Sequence, residues 1–136
     1  MKISIVGLGF VGLSLASVLA SKEYTVIGID KDKKKCSEIR SGRVPVYEPD
    51  LEKTLKIGLR KSLKISDDFS LIIDSDMIFV TVGTPQKANG AIELSMIKNS
   101  VTKIGKILHS TKKDQIILIK STVIPGTMRD LSLIHI

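Results

Sequence analysis

Lys2-Ile3-Ser4-Ile5-Val6-Gly7-Leu8-Gly9-Phe10-Val11-Gly12 is the stretch that decides the fold. Its first half is a β-branched apolar run of the kind found in strands buried on both faces. Its second half reads G-x-G-x-x-G and leads into a helical pattern from Phe10 to about Ser21. The glycine pattern alone is a weak signal, but between a strand and a helix it has a mechanism. Gly7 permits a tight turn off the strand, Gly9 leaves bare backbone where a pyrophosphate can approach, and Gly12 lets the helix pack closely on the sheet. The start of the helix then offers unpaired N–H groups and a positive dipole end to phosphates. Ser14, Ala16, Ser17 and Ala20 keep that helix slim.

The next strand, about Thr25 to Ile29, ends at Asp30, eighteen residues beyond Gly12. An acidic residue near that spacing binds the adenosine ribose of a dinucleotide. A carboxylate accepts two hydroxyl hydrogens and repels a 2′-phosphate, which favours NAD over NADP. Lys31 and Lys33 to Lys35 pull the other way, because a nearby lysine can hold a 2′-phosphate. The plain alternative for Asp30 is a turn or helix cap.

Outward from this core, strand and helix patterns alternate, as in an α/β protein with a mostly parallel sheet. A Lys-rich helix is expected from about Asp32 to Arg40, then a loop to Pro49 broken by Gly42, Pro45 and Pro49. A helix from about Asp50 to Arg60 sets Leu51, Leu55 and Leu59 on one stripe. A short strand over Leu63–Ile65, a short helix over Asp67–Asp74 and a strand over Met77–Val82 follow. The loop Gly83–Ala91 leads to an amphipathic helix from about Leu94 to His109, with Ile97, Val101, Ile104 and Leu108 on one face. Gln115–Lys120 is the last strand, and Ile124-Pro125-Gly126-Thr127 starts another helix. The fold expected is a Rossmann-type, doubly wound α/β domain over residues 1–130, with helices on both faces, cut short at its C-terminus. Residues 131–136 can be encoded by CTG TCT CTT ATA CAC ATC, the end of a transposon adapter used in sequencing libraries, so this tail is expected to be non-native and His135 is given no role.

The composition excludes several classes. At 43% hydrophobic, the 136 residues can bury a core, and with 4% aromatic residues and no Trp that core is aliphatic. A single cysteine, Cys36, rules out an intrachain disulfide framework and a Cys-rich zinc site; no metal is expected. The net charge of +7 is spread over several helices without interleaved aromatics, which argues against nucleic-acid binding. There is no signal-peptide layout and no apolar run long enough for a bilayer, so a reducing cytoplasm is the expected location.

Four blocks carry a resemblance to the UDP-glucose/GDP-mannose dehydrogenase family: Lys2–Ala16 with Gly28–Asp30; Ser41–Leu51; Asp74–Pro85 followed by Asn89–Leu94; and Ile119–Thr127. The resemblance implies a two-step, NAD-dependent oxidation of a nucleotide sugar's C6 alcohol to a uronate, with UDP-glucose the first choice of substrate and UDP-N-acetylhexosamine and GDP-mannose open. It also implies a parent enzyme that is a homodimer or larger and supplies surface polysaccharide. Gly7, Gly9, Phe10, Val11 and Gly12 match the family's pyrophosphate loop, Asp30 and Lys35 its adenosine-ribose contacts, and Thr84 and Thr122 its further cofactor contacts. Thr122 also matches a residue that helps place catalytic water. Both threonines follow strands, where ligands of open parallel sheets gather; the plain alternative is a turn hydroxyl bonding its own backbone.

The family's cysteine nucleophile, with its lysine, aspartate and glutamate, lies in later motifs that this sequence does not contain. Cys36 is expected to be inert packing, His109 to complement a helix dipole, and Glu48 to offset the dipole at a helix start rather than to catalyse. Asp50 stands where the family has a glycine, which puts the local turn in question. The chain by itself is therefore expected to bind a dinucleotide and turn over nothing. A nucleotide-sensing regulatory module and a hydroxyacid dehydrogenase share the glycine loop, but neither calls for the other blocks.

Overall fold

The computed structural model describes residues 1–45 and 47–132. Among them, five strands form one sheet: β1 (Lys2–Val6), β2 (Thr25–Ile29), β3 (Leu63–Ser66), β4 (Met77–Val80) and β5 (Ile116–Ile119). The spatial order is β3-β2-β1-β4-β5, and every neighbouring pair is parallel. The helices are α1 (Phe10–Ser21), α2 (Lys33–Arg40), α3 (Leu51–Lys61), α4 (Ser95–Leu108) and α5 (Thr127–Ser132), with a 3₁₀ turn over Phe69–Asp74.

The alternation of side chains explains how both faces are covered. Ile3, Ile5 and Val26 lie with Leu13 and Ala16 of α1, Ile39 of α2 and Leu55 of α3. The intervening residues Val6, Ile27, Ile29, Ile78 and Val80 lie with Ile72 and with Ile104 of α4. The central strands β1, β2 and β4 are therefore largely apolar on both sides, whereas Ile116 and Leu118 of β5 are exposed; the one buried polar interruption in β1, Ser4, meets Ser75 with its hydroxyl at 2.6 Å. After β3 the chain crosses to β4 on the far side of β1, so the order reverses between β1 and β4. Loops leaving these two strands diverge, and a crevice opens at their carboxyl ends.

Most element limits shift by a residue or two from the expected ones, as helix and strand ends do. Asp32 caps α2 by accepting from the Lys35 amide at 3.0 Å. The segment before β4 is a 3₁₀ turn, capped by Asp68, which accepts from the Ser70 amide at 2.9 Å. β4 stops at Val80 rather than Val82, because its partners in β1 and β5 end at Val6 and Ile119. The loop after β4 contains a small hairpin that the loop assignment missed: Gln86 bridges Ile92, and Gly90 turns at φ +83°. Asp50 precedes α3 at φ +60°, the left-handed conformation a glycine adopts without cost, so the unusual residue keeps the turn under strain. Of the tail expected to be foreign, residues 133–136 lie outside the described residues. Leu131 is buried in α5 against Ile97 and Val101 of α4.

Candidate functional site

The crevice between β1 and β4 is a cleft of ≈ 420 Å³ lined by Gly7, Gly9, Asp30 and Lys35 on one side and by Thr81, Val82 and the first turns of α4 on the other. The glycine loop enters it directly off β1. Gly7 turns at φ +99°, and a Cβ there would meet Val82 N at 2.9 Å. Around Gly9 the opposite holds: a Cβ would meet nothing within 4 Å, because that side faces open space. At Gly12 a Cβ would lie 1.9 Å from the Gly7 carbonyl oxygen and 2.5 Å from Thr81 Oγ1. Gly12 thus seats α1 on the loop and on the end of β4.

Helix α1 begins with Gly9 as its N-cap, without a capping side chain and without an acidic residue in the first turn. Its first internal bond runs from Leu13 N to Gly9 O at 2.9 Å. The amides of Phe10, Val11 and Gly12 therefore have no helical carbonyl to bond. Unpaired amides, a first turn without an acidic residue and a bare Gly9 together suit an anionic phosphate group.

Asp30 is 7% exposed. Its Oδ2 accepts from Leu8 N at 2.9 Å and Lys35 Nζ at 2.9 Å, and its Oδ1 accepts from Asp32 N at 3.0 Å. Burial pushes the carboxyl up, but the Lys35 ammonium and the Asp32 and Leu8 amides outweigh it and hold it below the usual carboxylate value. A carboxylate oxygen has two acceptor directions. Both are used on Oδ2 and one on Oδ1, so the group has room for one hydroxyl hydrogen as it stands. A second requires Lys35 to swing away, which its half-buried, solvent-touching side chain permits. Of the other lysines, Lys31 lines the cleft, and Lys33 leans towards Asp67 at 3.8 Å.

Thr84 and Thr122 follow the adjacent strands β4 and β5, so both stand at the carboxyl edge of the sheet, but neither lines the cleft beside Asp30. Ser121 links their two loops, its hydroxyl donating to Val82 O at 2.6 Å. Glu48 is exposed ahead of α3, where its carbonyl accepts from Leu51 N at 3.2 Å. Cys36 is buried with its thiol 3.4 Å from Asp30 O. Sequence reasoning passed over the far wall: Met96, Asn99 and Ser100 of α4, Lys103 lying 3.8 Å over the Phe69 ring, and Thr81. The α4 periodicity identified the buried face, and the cleft residues are simply those on its flank. Among the described residues no helix is long and apolar enough to cross a membrane.

The sequence profile of the UDP-glucose/GDP-mannose dehydrogenase family, NAD binding domain, matches residues 1–135. GDP-mannose 6-dehydrogenase of Pseudomonas aeruginosa is 37% identical over 133 residues, covering 96% of this chain and 30% of that protein. UDP-glucose 6-dehydrogenase of Haloferax volcanii is 30% identical over 131 residues, with the same shares. A crystal structure of a ternary complex of GDP-mannose dehydrogenase from Pseudomonas aeruginosa superposes with a TM-score of 0.94 at 37% identity, covering 98% of this chain and 32% of the other. The chain thus spans 30% of the length of these curated relatives.

Proposed function

The chain belongs to the UDP-glucose/GDP-mannose dehydrogenase family as its NAD-binding domain, and on that premise we propose that it serves as the cofactor half of a nucleotide-sugar 6-dehydrogenase. The observation that carries this is the convergence in one cleft of the uncapped α1 amides, the bare Gly9 and the Asp30–Lys35 pair. Gly7, Gly9, Phe10, Val11 and Gly12 hold the pyrophosphate, and Asp30 with Lys35 holds the adenosine ribose. Asp30 accepts one hydroxyl at Oδ1, and Lys35 moves off Oδ2 to admit the other. Thr84 and Thr122, further along the sheet edge, contact the rest of the cofactor, and Thr122 orients water for the second oxidation step. Bound NAD supplies the acceptor for a hydride leaving the sugar C6.

The reaction also needs a sugar held in line with the nicotinamide and a nucleophile; among the described residues the one thiol, Cys36, is buried, and the chain spans 30% of the length of the curated relatives it matches. The 136-residue chain is therefore inactive alone and works within a longer enzyme. The substrate is a nucleotide-linked hexose. UDP-glucose is the first reading, and the 37% identity to the Pseudomonas aeruginosa enzyme favours GDP-mannose as the second. A cytoplasmic, homo-oligomeric enzyme making a uronate for surface polysaccharide completes the reading. It is tested by following NADH formation with UDP-glucose, GDP-mannose and UDP-N-acetylhexosamine, for the longer enzyme and for this chain. Turnover of one of these by the longer enzyme only is the expected result. NADH formation with none of them, or turnover by the isolated chain, would contradict it.

A further inference from the structure

Thr81 is the first residue beyond β4 and is 9% exposed. Its amide donates to Val6 O at 2.8 Å, as an extension of the β4 ladder. Its hydroxyl does something the ladder does not require: Oγ1 donates to Gly7 O at 2.7 Å and lies 3.1 Å from Val6 O. The Gly7 carbonyl belongs to the same planar peptide unit as the Leu8 N–H, and in a trans peptide the two point in opposite directions. That N–H donates to Asp30 Oδ2 at 2.9 Å. One rigid peptide unit is therefore held at both ends, by a hydroxyl from β4 and by the carboxylate at the end of β2. Gly7 itself is anchored by its own amide, which donates to Ile29 O at 2.8 Å.

A glycine at φ +99° has little intrinsic resistance to rotating the peptide that follows it. A rotated Gly7–Leu8 unit would turn a carbonyl oxygen where the N–H now points, placing it against Asp30 and changing the approach to the bare Gly9. We propose that Thr81 is a positioning residue for the cofactor: its hydroxyl fixes the Gly7–Leu8 peptide so that the glycine loop and the Asp30 carboxylate are set before the dinucleotide arrives. Preorganisation of this kind raises affinity by removing an ordering cost at binding. The inference rests on the reading of the cleft as the NAD site.

The test compares the full chain with Thr81→Ala, Thr81→Val and Thr81→Ser, by calorimetric titration with NAD and by hydrogen exchange at individual amides. Loss of one hydrogen bond's net contribution corresponds to a Kd about three- to tenfold higher in the Ala and Val variants. Exchange at Leu8 N speeds up in both, exchange at the β1 amide of Ile5 does not, and Thr81→Ser restores both properties. A hydroxyl-less variant with the parent's Kd overturns the proposal while leaving the NAD site intact. So does uniformly faster exchange along β1 and β4, or a serine variant that fails to restore binding, since either makes Thr81 a stability residue. Failure of both the Ala and Val variants to fold, while the serine variant folds, overturns it in the same way. A folded parent chain that binds no NAD would remove the premise and the proposal together.

Discussion

Gly12→Ala separates the packing role of the glycine loop from its binding role. In an ordinary helix interior this substitution stabilises by about 1 kcal/mol, since alanine is the better helix former. Here the new Cβ would lie 1.9 Å from Gly7 O and 2.5 Å from Thr81 Oγ1. The first neighbour is backbone and cannot rotate aside, so α1 must retreat by about 1 Å in an interior packed as densely as a crystal. Overpacking costs about 1–3 kcal/mol, and the upper value applies where the obstacle is main chain. With an unfolding entropy of about 2.1 cal/mol/K per residue, a loss of about 3 kcal/mol lowers the melting temperature of a chain this size by about 10 °C. Gly9→Ala is the counterpart: its Cβ meets nothing within 4 Å, and the loss of glycine at an N-cap costs at most about 1 kcal/mol. That variant should melt within about 4 °C of the parent yet lose NAD affinity by more than about tenfold, as the methyl fills the space before the α1 amides. Thermal melts followed by circular dichroism, paired with NAD titration, read both properties. A Gly12→Ala protein that melts at or above the parent's temperature would refute the packing argument.

Other outcomes follow from single residues. Asp50→Gly relieves a left-handed residue at φ +60° and should raise the urea midpoint by the equivalent of up to about 1 kcal/mol; a lower midpoint would show that Asp50 is not strained. The folded-state pKa of Asp30 lies below 3.8, so its stabilising contribution is present above that pH and is lost as the pH falls through the folded value. The stability gap between the parent and Asp30→Asn should therefore narrow on acidification below 3.8, and a pH-independent gap would contradict the network described. Cys36 is buried and burial pushes its thiol up, so a disulfide reagent should label it only as the chain unfolds; rapid labelling of the native protein would contradict its place in the core.

The local part of the site was legible because its constraints are local. Gly7, Gly9 and Gly12 lie close together in sequence across the junction of β1 and α1, and their spacing between strand and helix dictates what each must avoid. Asp30 stood out as a candidate because it ends a strand at a fixed distance from that junction, and it lines the same cleft as the glycine loop. Partners brought together by topology were not legible. Thr81 bonds Gly7 across a sequence separation of 74 residues, and no period or spacing marks it just beyond the apolar residues of β4. Lys103 and Phe69 meet because α4 and the 3₁₀ turn share a face of the sheet. Asn89-Gly90 carried a usable hairpin signal, but the strands flanking it are single bridging residues, too short to show an alternating pattern. The occupied state of the Asp30 carboxylate, with Lys35 already on Oδ2, is likewise a tertiary fact that changes how a ribose must enter.

The most direct test is calorimetric titration of the folded chain with NAD and, separately, NADP, repeated for Asp30→Ala. Saturable binding that prefers NAD and is lost in the variant is the predicted result. A folded chain that binds neither dinucleotide, or binds NAD equally well without Asp30, would contradict the assignment of this cleft to NAD.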